Sequence, residues 1–192
     1  MLDIHLGTAG IMDMAKALAA TGRRLPSAQA MVLNRVGTRV KRIVNDTLPA
    51  QTGLSRYTIN RAVKMRRASP RNPSVTIWTR GGDISLKYFN PREENGGVSA
   101  YIYGHKEVYQ GAFRLSGKAP NRRMVKKLNG HVYENTDGGY WRGHIRKIKS
   151  GVLIPAEMIR GKTRQAFEQV VTTELPREVE NELARILPGG SS

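Results

Sequence analysis

The chain has 192 residues and a formal net charge of +17, with a sequence pI near 10.7. It has no cysteine, which excludes a disulfide framework and thiolate metal sites, and no stretch comes near the roughly 18 apolar residues of a membrane span. The length allows a proper core in one domain, and so large a charge excess calls for something anionic against the surface.

In chain order, residues 1–22 form an expected helical extension, with Thr8 as N-cap and Gly22 as stop for a helix over 8–21. Asp3, His5 and Asp13 interrupt any apolar run there, so a signal peptide is not expected. A second helix is predicted from Pro26 or Ser27 to about Thr47, before Pro49. Its apolar stripe is Ala28, Met31, Val32, Val36, Val40, Ile43 and Val44, with Arg35, Arg39 and Arg42 on another face. A shorter basic helix follows from Ser55 to about Lys64. Pro70 and Pro73 then forbid further helix.

Beyond Pro73 the pattern changes to period two. Val75, Ile77 and Thr79 predict one strand, and Ile84, Leu86 and Tyr88 a second, joined at Gly81-Gly82-Asp83. Residues 91–97 read as a loop, and strands are expected over 98–104 and 109–115. Lys118 to Lys127 reads as a mobile basic loop. His131–Asn135 and Tyr140–Lys149 read as a hairpin about Thr136-Asp137-Gly138-Gly139. Ile154-Pro155 leads into a last amphipathic helix with Ala166, Phe167, Val170, Val171, Leu175, Val179, Leu183 and Ile186 on its apolar face. Pro176 is expected to kink or split it, and residues 188–192 form a disordered tail. Helices, then five to six short antiparallel strands, then a helix define an α+β fold: a small antiparallel or mixed sheet packed with basic N-terminal helices and an amphipathic C-terminal one, all within residues 23–187.

The charge is uneven. Arg23 to Asn72 holds twelve Lys/Arg against the single acid Asp46, whereas residues 1–22 and 161–192 each sum to −1. Recognisable chemistry is scarce beside it. His5, His105, His131 and His144 make no HExxH pattern, and no serine sits in a G-x-S-x-G elbow. Gly161-Lys162-Thr163 lacks the upstream glycine of a phosphate loop, since position 156 is Ala. Glu93-Glu94 reads as a solvated charge pair rather than an acid and a base. The expectation is a protein without enzymatic activity, catalytic or metal-binding residues, or a cofactor.

Candidate contacts to DNA or to an acidic partner are therefore Arg35, Arg39, Arg42, Arg56, Arg61, Lys64, Arg66 and Arg67. Helical spacing of the first three suits phosphate contacts without sequence readout. Tyr57 is the only aromatic inside the basic block, so base stacking looks sparse. Docking of these helices on acidic neighbouring subunits is the other reading of the same charges.

Several short motifs recur in a familiar order: Ala30-Met31-Val32-Leu33-Asn34-Arg35-Val36, a cationic helix over 58–68, Asn72-Pro73-Ser74-Val75-Thr76-Ile77, Arg80-Gly81-Gly82-Asp83-Ile84, Gly111-Ala112-Phe113, Asn129-Gly130-His131-Val132, and Ile154-Pro155 before an amphipathic helix. Over residues 26–187 the layout resembles the minor tail protein Z family of long-tailed bacteriophages, the tail-completion component. Gly143-His144-Ile145 departs from it, where Pro before Ile is expected, and residues 1–22 are additional. The resemblance implies a structural virion protein of the neck or tail, assembled in the host cytoplasm. It implies a ring of identical subunits, hexameric by expectation, at the head-proximal end of the tail. The implied partners are the tail terminator, the tail tube and head-connector proteins, with genome DNA passing close by. Lys118, Arg122, Arg123, Lys126 and Lys127 become a candidate loop for contact between rings. The alternative is a basic protein that binds nucleic acid without regard to sequence.

Overall fold

A computed structural model of the chain describes residues 2–5, 25–94, 96–117, 121–137 and 144–186. The helix expected over 8–21 and the tail at 188–192 lie outside the described residues.

The apolar stripe of the first third does form a helix, α1, Leu25–Thr52, and buries Val32, Leu33, Val36, Val40, Val44 and Leu48 at 3% exposure or less. Full burial of such side chains is worth about 1.5–3 kcal/mol each, which makes this helix the spine of the core. It ends later than expected. Pro49 lies in the last turn, and its carbonyl accepts the Gly53 N–H at 2.9 Å. Gly53, at φ +84, supplies the left-handed stop. Helix α2, Arg56–Ala62, follows at once, its N-terminus capped by Ser55 Oγ accepting from Thr58 N. It is shorter than expected because Val63-Lys64-Met65-Arg66 alternates, and it leaves the helix as strand β2, Val63–Arg66.

Strand β3, Thr76–Thr79, is the centre of a three-stranded antiparallel sheet between β2 and β1, Leu2–His5. Residues 2–5, expected as part of a helical extension, thus form an edge strand of this sheet. The hairpin expected between 75–79 and 84–88 does not form. Ile84 and Leu86 donate instead to the carbonyls of Val152 and Ile148, and Ser150 donates back to Ile84. Leu86–Phe89 closes into a 3-10 turn that buries Leu86 and Phe89 and turns Tyr88 outward.

A second sheet runs β4 (Arg92–Glu94), β5 (Gly97–Ile102), β6 (His105–Gln110). Part of the predicted 91–97 loop is therefore a strand, and the strand expected at 109–115 lies earlier. Its inner strand buries Val98, Ala100 and Ile102, whereas β6 is exposed along nearly its whole length. Tyr103 and Gly104, both at positive φ, make the tight turn between β5 and β6. Two short pairs follow. Strand β7, Leu115–Ser116, pairs with β8, Arg123–Met124. Strand β9, Tyr133–Asn135, pairs with β10, Ile145–Lys147. The second pair joins the two strands of the expected hairpin over shorter spans, and residues 138–143, which hold part of the expected turn, lie outside the described residues. Among the described residues all strand pairs are antiparallel and fall into four small sheets, giving an α+β fold.

Ile154-Pro155 opens a one-turn helix, α3, Ile154–Met158, and α4 then runs unbroken over Gly161–Ile186. Pro176 does not split α4. Thr172, whose carbonyl loses its partner, is exposed, so water can take the freed acceptor, and Pro176 itself is half-buried. Helices α1 and α4 pack antiparallel: Arg35 meets Glu182, Arg39 meets Glu178, and Gln51 meets Thr163. One continuous core joins α1, the sheets and Val179 of α4.

Candidate nucleic-acid interface

Helical spacing puts Arg35 and Arg39 one turn apart on α1, and it puts Glu174, Glu178 and Glu182 at four-residue steps on α4. The antiparallel packing brings the two rows together. Arg35 Nη1 lies 3.0 Å from Glu182 and 3.5 Å from Glu178, and Arg39 Nη1 lies 2.8 Å from Glu178 and also contacts Glu174. Glu178 and Glu182 are each only 7% exposed. The expected shared face of Arg35, Arg39 and Arg42 is therefore split. The first two fasten the chain's own helices, while Arg42 is exposed and makes no ion pair among the described residues. Arg56 is likewise engaged, with Asp46.

What stays outward is the surface of α2, β2 and β3. In the register of β2 with β3, Lys64 opposes Trp78 and Arg66 opposes Thr76, while Val63, Met65, Ile77 and Thr79 turn toward the core. Lys64 and Arg66 are exposed and Trp78 is half-buried between core and solvent. The Arg80 guanidinium lies 4.9 Å from the centroid of Trp78. On α2, one turn apart, Arg61 sits 5.6 Å from the Tyr57 ring and donates to its hydroxyl at 3.2 Å. Arg67, next along the chain, instead lies over α1, where it lines a shallow concavity with Met31, Asn34, Arg35, Thr38 and Arg39. Its neighbour Ala68 is pinned to α1 by Asn34, which donates Nδ2–H to the Ala68 carbonyl at 3.0 Å and accepts the Ala68 N–H at 2.9 Å.

Two aromatic rings, each with its own guanidinium, thus lie among exposed cations. Exposed cations of this kind can hold phosphates through charge, and ring faces can stack on bases, neither of which reads sequence. Trp78 was not visible as a member of this patch because it follows two prolines and lies outside the basic block. The usable signal was the matched alternation of Val-Lys-Met-Arg with Thr-Ile-Trp-Thr.

The segment read as a mobile basic loop is tied down where it is described. Strand β8 pairs with β7, and Arg122 lies 2.6 Å from Glu93. Arg123, Lys126 and Lys127 are exposed, and Lys118 is outside the described residues. Of Glu93 and Glu94, Glu94 is exposed as expected whereas Glu93 is half-buried, and both carboxylates are engaged. Glu93 also accepts the Leu115 N–H, and Glu94 binds Lys106 and Ser99, which together hold its carboxyl below the usual range.

Other groups with chemical potential are occupied structurally. The N–H and hydroxyl of Thr163 both go to Gln51 Oε1, so Gly161-Lys162-Thr163 starts α4 against a side-chain cap. Buried Glu157 accepts from Gln51 Nε2 at 2.7 Å and from the Tyr103 hydroxyl at 3.2 Å. Ser85 Oγ and His131 Nδ1 are 2.7 Å apart, and among the described residues no carboxylate hydrogen-bonds that ring. Burial, then the charges of Lys147 and Lys87, push the His131 pKa down. Among the described residues no three His, Asp or Glu side chains group to hold a metal ion, and no helix is long and apolar enough to cross a membrane. No protein-family model, curated protein or solved structure matches the chain.

Proposed function

We propose that the chain is a structural component of a phage neck or tail, a tail-completion subunit that acts at the head-proximal end of the tail, where DNA passes. The observation that carries this reading is the division of its charge. Among the described residues eight carboxylates pair with cations of the chain itself, and Arg61, Lys64, Arg66 and Arg80 are left without an ion pair on the outer face of α2, β2 and β3. Repetition of that face around a ring multiplies weak phosphate contacts by copy number and needs no sequence code. The exposed β6 and the outward Tyr101, Tyr103 and Val108 suit completion by a neighbouring copy, and the order of motifs over residues 26–187 supports the same assignment. In this role the chain is not an enzyme, and its partners are its own copies, the tail terminator and the head connector.

Mass spectrometry of purified particles from the phage that encodes the chain tests the proposal. Peptides from it are expected in tails as well as in whole virions, and their absence from both refutes the assignment. The Tyr57–Arg61 and Trp78–Arg80 pairs favour a second reading, a free nucleic-acid-binding protein. That reading requires a gel shift by the isolated chain at low salt, with affinity falling steeply as salt rises.

A further inference from the structure

Away from the α2–β2–β3 surface, a concavity of about 480 Å³ lies between the 3-10 turn of Leu86–Phe89 and the segment after β8, lined by Lys87, Arg114, Met124, Val125, Lys126, Asn129 and Gly130. Its lining has three cations and no carboxylate. In a chain whose described acids mostly pair with its own bases, that is a selective arrangement. Each cation is held differently. Lys87 Nζ donates to the Asn129 carbonyl at 2.5 Å and reaches its Oδ1 at 3.3 Å, so one of its three N–H groups remains for another acceptor. Arg114 is fixed by Nη1 donating to the Pro91 carbonyl at 2.8 Å, while its Nε is buried without a hydrogen-bond partner. Lys126 is exposed at the opening. None of the three forms an ion pair among the described residues. A guanidinium and two ammonium groups around one hollow, two of them pre-fixed by backbone carbonyls, suit a compact oxyanion with several acceptors and more than one negative charge.

We propose that this pocket binds a phosphate group, with Arg114 and Lys87 as fixed donors and Lys126 as the outer clamp. The site is independent of the neck assignment. Its phosphate comes from free phosphate or from the end of a nucleic acid strand.

The test is titration of the full chain, in phosphate-free buffer, with inorganic phosphate, with an oligonucleotide carrying a 5′-phosphate, and with the same oligonucleotide ending in a 5′-hydroxyl. Binding is read by calorimetry and by the amide resonances of Asn129 and Gly130. Saturable phosphate binding that shifts those resonances is expected. Lys126→Gln, whose side chain makes no internal hydrogen bond among the described residues, should weaken it about five- to tenfold, while Arg177→Gln, an exposed cation of α4 outside both surfaces, leaves it unchanged. A 5′-phosphate preferred over the 5′-hydroxyl identifies a strand end as the source, and equal binding of the two oligonucleotides alongside phosphate binding identifies free phosphate. Three results overturn the proposal: no saturable phosphate binding, equal losses in Lys126→Gln and Arg177→Gln, or a glutamate-rich peptide displacing phosphate at lower concentration. The last would make the pocket a socket for a partner's carboxylates. Arg114→Lys gives a further check. It keeps the charge but loses the planar fork, and a fold verified by circular dichroism with weaker phosphate binding is expected.

Discussion

Neutralising Glu178 isolates the clasp between α1 and α4. This carboxylate is 7% exposed and receives both Arg35, at 3.5 Å, and Arg39, at 2.8 Å. A fully buried pair that loses one partner costs about 3–5 kcal/mol, and an exposed pair only about 0.2–1. The arginine side chains are 36% and 47% exposed, so once released they can return to water, and each keeps a second carboxylate. Glu178→Gln should therefore cost about 1–2 kcal/mol, which lowers a urea midpoint by roughly 0.5–1 M for an m-value of about 2 kcal/mol/M. The cycle Glu178→Gln, Arg39→Gln and the double variant should give a coupling of about 1 kcal/mol, shrinking in molar salt. A midpoint unmoved by Glu178→Gln, together with a coupling below about 0.3 kcal/mol, would show that apolar packing alone holds the helices, and the reasoning would be wrong.

Gly97→Ala would drive a Cβ into the Tyr109 carbonyl oxygen of the paired strand, and a loss of about 1–3 kcal/mol or more is expected from thermal melts. Trp78→Ala should weaken binding to single-stranded DNA by about 1–3 kcal/mol at constant salt, whereas Arg61→Gln should reduce the slope of log affinity against log salt by about 1. Fluorescence anisotropy separates the two effects, and identical behaviour of both variants would dissolve the patch as a unit. The native state holds His131 below its ordinary value of 6.5. The unfolded chain therefore takes up a proton first as pH falls. The stabilisation is complete above about pH 6.5 and is lost as pH drops through the lowered native value. Denaturation series between pH 7.5 and pH 5 should show a shallower decline for His131→Gln than for the wild type, and parallel curves would contradict the burial argument.

Helix α1 was legible because Val32, Val36, Val40 and Val44 keep a helical period over many turns, which no strand reproduces. Its end was misplaced because Pro49 looks like a breaker, although a proline in the last turn forfeits little, and Gly53 is the residue that stops the helix. Alternation misled at Ile84, Leu86 and Tyr88. The spacing was real, but its hydrogen-bond partners were residues 148–152, more than sixty positions away and hidden from local reading. The basic block was equally plain in the sequence, yet the fate of each cation depended on α4. Nothing within Arg35 or Arg39 distinguishes them from Arg61 or Arg66. The difference lies in three glutamates spaced to match, some 140 residues later.

That separation shapes how the chain is made. The groups that neutralise Arg35 are 143 and 147 residues downstream, so during synthesis the long first helix leaves the ribosome with its cations bare until the last stretch emerges. Contacts so distant along the chain close slowly, because the intervening segments must be ordered first. Until then Arg35 and Arg39 lack the carboxylates that neutralise them, and a truncated product without α4 would lack them permanently.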